Sequence, residues 1–278
     1  MKLSLTVIAL LMHATTPMSQ LDLGRTHKYT RYAAAAICKL ITNFECKSCT
    51  GINGRFLKSF KSTTLSSSGY IAVDESDKRI LLVFRGASDI TNTINNALLL
   101  PSPMLGTPSG SLVHTGFKIA MESLAPEFLA TIEALISHSR YAAYKVAVIG
   151  HSLGGAVASL ATVRLHHTLG IPWEEMELYT YGQPRTGNLV FARWLSRQPM
   201  GSSRVVHRND IIPHLAPGLL DIYTHHQNEV WLGEGTTVTF CKTQVLEDPS
   251  CSNSVPLAEL SQSDHLSYFN ITLGNQAC

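Results

Sequence analysis

Charge is scarce in this sequence. Asp, Glu, Lys and Arg make up 15% of its 278 residues, and the formal net charge is only +2. No lysine or arginine cluster is present, so the chain has no means of neutralising a row of phosphates, and nucleic-acid binding is excluded. Internal repeats, low-complexity tracts and long linkers are absent, which points to one domain. No Cys/His spacing suits zinc, and nothing implies a metal or a cofactor. Beyond the N-terminus there is no apolar run long enough for a transmembrane helix.

Apolar side chains are plentiful, at 45% of residues, enough at this length for a sizeable core. The first residues stand apart: Lys2, an apolar run from Leu3 to Met12, then small and polar residues through Ser19. That order matches the parts of a secretory signal peptide, and the run is too short to span a bilayer. Residues 1–19 are therefore expected to be removed, leaving 20–278 as a single secreted, extracellular domain; a buried first strand is the alternative.

The six cysteines, Cys38, Cys46, Cys49, Cys241, Cys251 and Cys278, avoid the middle of the chain. An even number in an exported protein implies disulfides. Closeness in sequence favours Cys46–Cys49 and Cys241–Cys251, which leaves Cys38–Cys278. A redox pair at Cys46-Lys47-Ser48-Cys49 is the other reading, but the pair sits in a polar loop rather than at a strand-to-helix turn.

Short β-branched, apolar runs recur at Gly69–Val73, Arg79–Phe84, Lys145–Ile149, Leu178–Tyr181 and Arg204–His207. Helix-like stretches lie between several of them, notably Phe117–His138, with Pro126 expected to bend it, and Ser152–Thr168. This alternation predicts an α/β layer fold with a mostly parallel sheet. The short turn Asp74–Lys78 predicts a hairpin and so a mixed sheet. A second hairpin is expected from Glu229–Leu232 and Thr236–Cys241.

Within this pattern "VAVIGHSLGGAVASL" places Ser152 between Gly150 and Gly154 at the seam of a strand and a helix. Such a nucleophile elbow holds a serine in a strained turn, with glycines letting strand and helix approach closely. Ala156, Ala158 and Ala161 suit a tightly packed helix. An unused serine in a glycine-rich turn is the plain alternative. A serine nucleophile needs a base and an acid to orient it, in the order serine, acid, histidine for hydrolases of this type. Asp210 follows a strand in "HRNDIIPHLAP", with Asp221 next; Asp248 reads as part of a surface loop, and Asp264 adjoins a candidate base. His166 and His167 lie too far along the helix that starts at the serine. His265, in "SQSDHLSYF", and His225 are near equals on spacing alone.

These and other segments, in order, are "VFRGASD" (83–89), "VHTGF" (113–117), "VIGHSLGGAVASL" (148–160), "YTYGQPRTGN" (179–188), "HRNDIIPHLAP" (207–217), "YTHHQNEVW" (223–231) and "DHLSYF" (264–269). Together, over roughly residues 30–278, the chain resembles the class 3 lipase family, the secreted filamentous-fungal type that includes feruloyl esterases. The resemblance implies an α/β-hydrolase-like fold and a triad of Ser152, Asp210 and His265. It also implies an oxyanion hole from the backbone N–H groups of Leu153 and Ala87, and disulfides that coincide with the pairing above. Ala87 departs from the family's serine or threonine, and Gln227 stands where glycine is common. His114 and His151 read as structural.

The family's lid falls on Ser88–Pro103, where Ile90, Ile94 and Leu98 mark one helical face that can turn from the serine to a lipid–water interface. The tryptophan common in such lids is absent, and Thr93 stands near its place. An ester substrate of acylglycerol type is expected. A feruloyl or other soluble-ester esterase is the alternative, and a non-catalytic lipid-binding protein on the same scaffold the reading from another class. Asn270-Ile271-Thr272 is an N-glycosylation sequon.

Overall fold

The expected alternation is realised around an eight-stranded sheet. The computed structural model describes residues 22–38, 42–87, 100–215 and 222–278. The N-terminal signal segment, the lid positions Ile90, Ile94 and Leu98, and the alternative acid Asp221 lie outside those residues.

The described chain opens with helix α1 (Leu23–Ala35) and strands β1 (Arg55–Lys61), β2 (Ser68–Asp74) and β3 (Arg79–Phe84). A small ribbon of β4 (Pro101–Pro103) and β5 (Leu112–His114) leads into helix α2 (Thr115–Ile136). Then come β6 (Lys145–His151), helix α3 (Leu153–Leu169), β7 (Met176–Tyr181), helix α4 (Leu189–Ser196) and β8 (Gly201–His207). The chain continues through β9 (Glu229–Leu232) and β10 (Val238–Phe240) to the two-residue strands β11 (Ser267–Tyr268) and β12 (Ile271–Thr272).

Strand order in the sheet is β1-β2-β3-β6-β7-β8-β9-β10. From β3 to β9 every neighbouring pair is parallel, and β1, β2 and β10 add antiparallel edges. The fold is the mixed, mostly parallel α/β-hydrolase type that the sequence predicts. Strand β7 is buried along its whole length and β6 after its first residue, because helices cover both faces of the sheet. On one face α2 and α3 pack with Phe84, Phe117, Phe128, Leu160 and Leu178. On the other, α1 brings Tyr29 and Tyr32 against Tyr70, Tyr179 and Tyr181. Their buried hydroxyls are satisfied: Tyr70 donates to the Tyr32 carbonyl at 2.8 Å and Tyr181 to the Thr26 carbonyl at 2.6 Å.

Besides the two small ribbons, three elements are additions to the expected set. Strand β1 mixes charged and apolar residues, lies at the sheet edge and shifts register between Phe56 and Lys58, so no period-two pattern marks it. Helix α1 alternates polar and aromatic residues, and α4 is only eight residues long. Helix α2 runs through Pro126 as one element. Both hairpins form. Cys38–Cys278, Cys46–Cys49 and Cys241–Cys251 are bridged, with Cα separations of 5.3, 4.9 and 6.0 Å. Asp248 differs from expectation: it is buried and accepts from the backbone N–H groups of Lys242 and Ser250, at 2.8 and 3.0 Å, which fastens the Cys241–Cys251 loop.

Candidate active site

Strand β6 delivers Ser152 to the carboxyl edge of the sheet, where ligand and catalytic groups collect in open α/β folds. Its backbone is at φ 58° and ψ −130°, a conformation nearly confined to glycine that costs about 1–3 kcal/mol. The surroundings enforce it. Ser152 N–H donates to the Tyr181 carbonyl at 2.9 Å, tying the elbow to the end of β7. A Cβ at Gly150 would fall 2.1 Å from the Gly154 carbonyl oxygen, and one at Gly154 would fall 2.4 Å from that of Phe84. Both flanking glycines are therefore required by close backbone approach, as the elbow pattern predicts.

Leu153 opens α3, so its N–H is among those with no intrahelical acceptor. The turn leaving β3 passes directly by the serine: a Cβ on Gly86 would lie 3.1 Å from Ser152 Cβ. Ala87 follows, half-buried against the core. The two residues expected to supply oxyanion donors thus flank the elbow from two sides.

Asp210 lies just beyond β8, after Arg208 at φ 46°, and is fully buried. Its Oδ1 accepts from Ile212 N–H at 2.8 Å. Its Oδ2 accepts from His265 Nδ1 at 2.8 Å and from the hydroxyl of Tyr268. The loop behind Asp210 is held from below, since Arg185 donates to the His214 carbonyl and His225 Nε2 to that of Pro213, each at 2.8 Å. Arg185 is itself fixed by an ion pair with Glu247 at 2.8 Å. Burial, followed by the Arg204 charge, drives the His225 pKa well below the usual histidine value. His225 thus props the loop that carries Asp210, while His265 is the histidine paired with Asp210.

His265 occupies a single helical turn, Ser263–Leu266, and is fully buried. Because Asp210 only accepts, the proton of neutral His265 resides on Nδ1, leaving Nε2 bare. Nε2 and the Ser152 Oγ are both buried without a protein partner, the arrangement expected of a base and nucleophile that engage on substrate binding. Asp264 is turned away and accepts from Asn209 N–H at 3.2 Å.

Two residues of the site escape sequence reasoning. Tyr268 shares Asp210 with His265, and burial, followed by the Asp210 charge, pushes its phenol pKa well above the ordinary value, so it remains a donor. Gly182, at φ 58°, ends β7 where a Cβ would lie 2.6–2.7 Å from Tyr268 Oη, Asp210 Oδ2 and His265 Cε1. The signals are a tyrosine three residues after His265 and a glycine at the carboxyl end of a parallel strand. Among the described residues no helix is long and apolar enough to cross a membrane.

A serine on a strained elbow, beside an imidazole oriented by a buried carboxylate on an α/β sheet, defines a serine hydrolase. The comparisons narrow this. The sequence profile of the family Lipase (class 3) matches residues 81–219. The lipase of Rhizomucor miehei is 34% identical over 253 residues, covering 88% of this chain and 68% of its own. The secreted mono- and diacylglycerol lipase 1 of Fusarium solani is 33% identical over 239 residues, covering 82% and 69%. A solved triacylglycerol lipase whose catalytic centre is a serine protease triad superposes with a TM-score of 0.84 at 33% identity, covering 92% of this chain and 97% of that one. The chain belongs to the class 3 lipase family and is a carboxylic ester hydrolase. It spans about two thirds of the length of the curated relatives it matches, 68% and 64% for the first two.

Proposed function

We propose that this enzyme is a secreted triacylglycerol or partial-glyceride lipase that cleaves its ester through Ser152, His265 and Asp210. The observation that carries the reading is the buried Asp210–His265 pair at 2.8 Å, set beside a serine in an elbow conformation. Ser152 Oγ attacks the ester carbonyl carbon while His265 Nε2 takes its proton. Negative charge then grows on the former carbonyl oxygen, where the N–H groups of Leu153 and Ala87 meet it. Collapse expels the alcohol, which receives the proton from His265, and leaves an acyl group on Ser152. Water repeats the sequence with His265 as base and releases the carboxylic acid. Asp210 holds the imidazole and stabilises its charged form.

Export is supported by the N-terminal pattern and by three bridges that need an oxidising compartment. Asn270 is exposed in the turn between β11 and β12, accessible to a glycan on an exported chain.

The test is hydrolysis of triolein, diolein, short p-nitrophenyl esters and methyl ferulate by the parent, Ser152→Ala and His265→Ala. Both variants are expected to fold and to lose several orders of magnitude in turnover. Near-parent activity in folded Ser152→Ala ends the mechanism. Preference for methyl ferulate over both glycerides replaces the lipase reading with that of an esterase.

A further inference from the structure

His151 takes no part in the acyl-transfer steps, yet it is an expensive residue to bury. It ends β6 next to Ser152, is almost wholly enclosed, and its Nδ1 has no hydrogen-bond partner. An unpaired buried nitrogen destabilises a fold, so space-filling alone does not account for a histidine where an apolar ring would fit. The other nitrogen does account for it. Nε2 lies 2.9 Å from the backbone carbonyl oxygen of His265. A carbonyl only accepts, so Nε2 carries the proton and Nδ1 is the bare atom. The two imidazoles are stacked, with centroids 4.3 Å apart and 28° between their planes. On the side of the β3 exit turn, a Cβ at Gly86 would sit 3.3 Å from His151 Nδ1.

We propose that His151 is a positioning residue for the base: its Nε2–H pins the His265 carbonyl, and its neutral ring backs the His265 imidazole and favours the protonated form that the reaction passes through. This rests on His265 acting as the base. Neutrality matters, because a second cation against His265 would oppose the proton it must accept. Burial, and then the neighbouring His265, hold the His151 pKa well below the ordinary value. The groups facing the pair are few. Asp210 hydrogen-bonds the far side of His265, and the Tyr268 ring stands edge-on to His151 at 6.0 Å. Ser152 is the next residue in the chain. His207 lies behind Tyr268, ring to ring at 5.6 Å, with its Nδ1 on the Asp264 carbonyl. Among the described residues Asp210 is the only carboxylate hydrogen-bonded to either ring.

Two substitutions separate the two contacts. His151→Gln keeps an N–H donor and loses the aromatic face; His151→Phe keeps the face and loses the donor. On a soluble short-chain ester, each is expected to lower kcat about tenfold with KM near that of the parent, the loss of one positioned contact. The acid limb of the kcat/KM profile should move about half a pH unit lower in His151→Gln, the effect of losing an ordinary cation–ring contact, and stay in place in His151→Phe. Either variant, folded and at parent kcat, overturns the proposal. If neither folds, nitrogen-15 spectra of the parent imidazoles decide: His151 is expected to remain neutral with its proton on Nε2 from pH 8 to pH 5. A His151 that titrates in that interval, or carries its proton on Nδ1, overturns the assignment. Residual activity in His265→Ala would instead remove the triad reading and leave the His151 spectrum untouched.

Discussion

Tyr268 and His265 donate to the same oxygen of Asp210, while the other oxygen takes the backbone N–H of Ile212. These donors offset the cost of burying a carboxylate. Tyr268→Phe keeps the ring and deletes the donor. A hydrogen bond to a charged group is worth about 1.5–3 kcal/mol, so kcat should fall roughly 10- to 100-fold with little change in KM. Steady-state kinetics on a soluble ester checks this, with a melting curve to confirm folding; parent kcat in the variant removes Tyr268 from the site.

Gly182 and Gly235 allow a controlled comparison. Both have positive φ, 58° and 64°, but a Cβ on Gly182 strikes Tyr268, Asp210 and His265, whereas one on Gly235 meets nothing within 4 Å. Gly235→Ala should lower stability by about 1 kcal/mol and leave activity intact. Gly182→Ala carries the same backbone strain and also displaces Tyr268, Asp210 and His265, so at least about a 100-fold loss of kcat is expected. Equal activity in the two variants contradicts the described packing.

Ala87 retains the backbone N–H of its position and lacks the hydroxyl common in its family. Ala87→Ser should raise turnover several-fold, roughly 1 kcal/mol of transition-state stabilisation, with KM little changed. Ala87→Val should lower it, because a branched side chain crowds the place of the substrate carbonyl. A short soluble ester keeps interfacial effects out of the comparison. Parent activity in Ala87→Val means that position 87 does not border the oxyanion.

Acid sensitivity is expected from buried neutral histidines. His114 is fully enclosed, caps α2 by accepting from Phe117 N–H at 3.4 Å, and burial lowers its pKa to about 4. Between the ordinary value near 6.5 and about 4, the unfolded chain takes a proton that the folded one refuses. The contribution is therefore present above pH 6.5 and lost as pH falls towards 4, by up to about 3 kcal/mol. His226, lowered to about 3 by burial and then Arg204, acts in the same direction. His114→Asn keeps a capping acceptor and cannot titrate. Denaturant unfolding at pH 7.5 and pH 4.5 should show a smaller loss in the variant; an equal loss shows that His114 is not held neutral.

The sequence alone carries the elbow because that signal is local: two glycines, a serine, an apolar strand and a small-residue helix are contiguous. It carries the central strands for the same reason, since burial on both faces leaves uninterrupted apolar runs. The acid and base are less legible. Asp210 is favoured by its place after a strand, but His265 and His225 are alike as residue types and in spacing, and no local pattern separates them. What singles out His225 as a prop is a carbonyl at Pro213, a contact that no spacing rule encodes. Tyr268 and Gly182 are hidden similarly, because their roles consist of distances to residues on other strands. Strand β1 is obscured by its place at the edge, where charged side chains break the alternation.

The bridge from Cys38 to Cys278 fastens the segment that carries His265 and Tyr268 to the end of α1, on the opposite side of the sheet from α2 and α3. That segment otherwise rests on a ribbon of two-residue strands and on contacts such as Ser48 Oγ to the Thr272 carbonyl at 2.9 Å. Ser152 follows an interior strand of the sheet; His265 sits on the C-terminal segment that this covalent clasp closes. Reductant should therefore silence the enzyme before it melts the fold, through local release of the C-terminal segment. Catalysis, rather than far-ultraviolet dichroism, is then the more sensitive gauge of the thiol state of this protein.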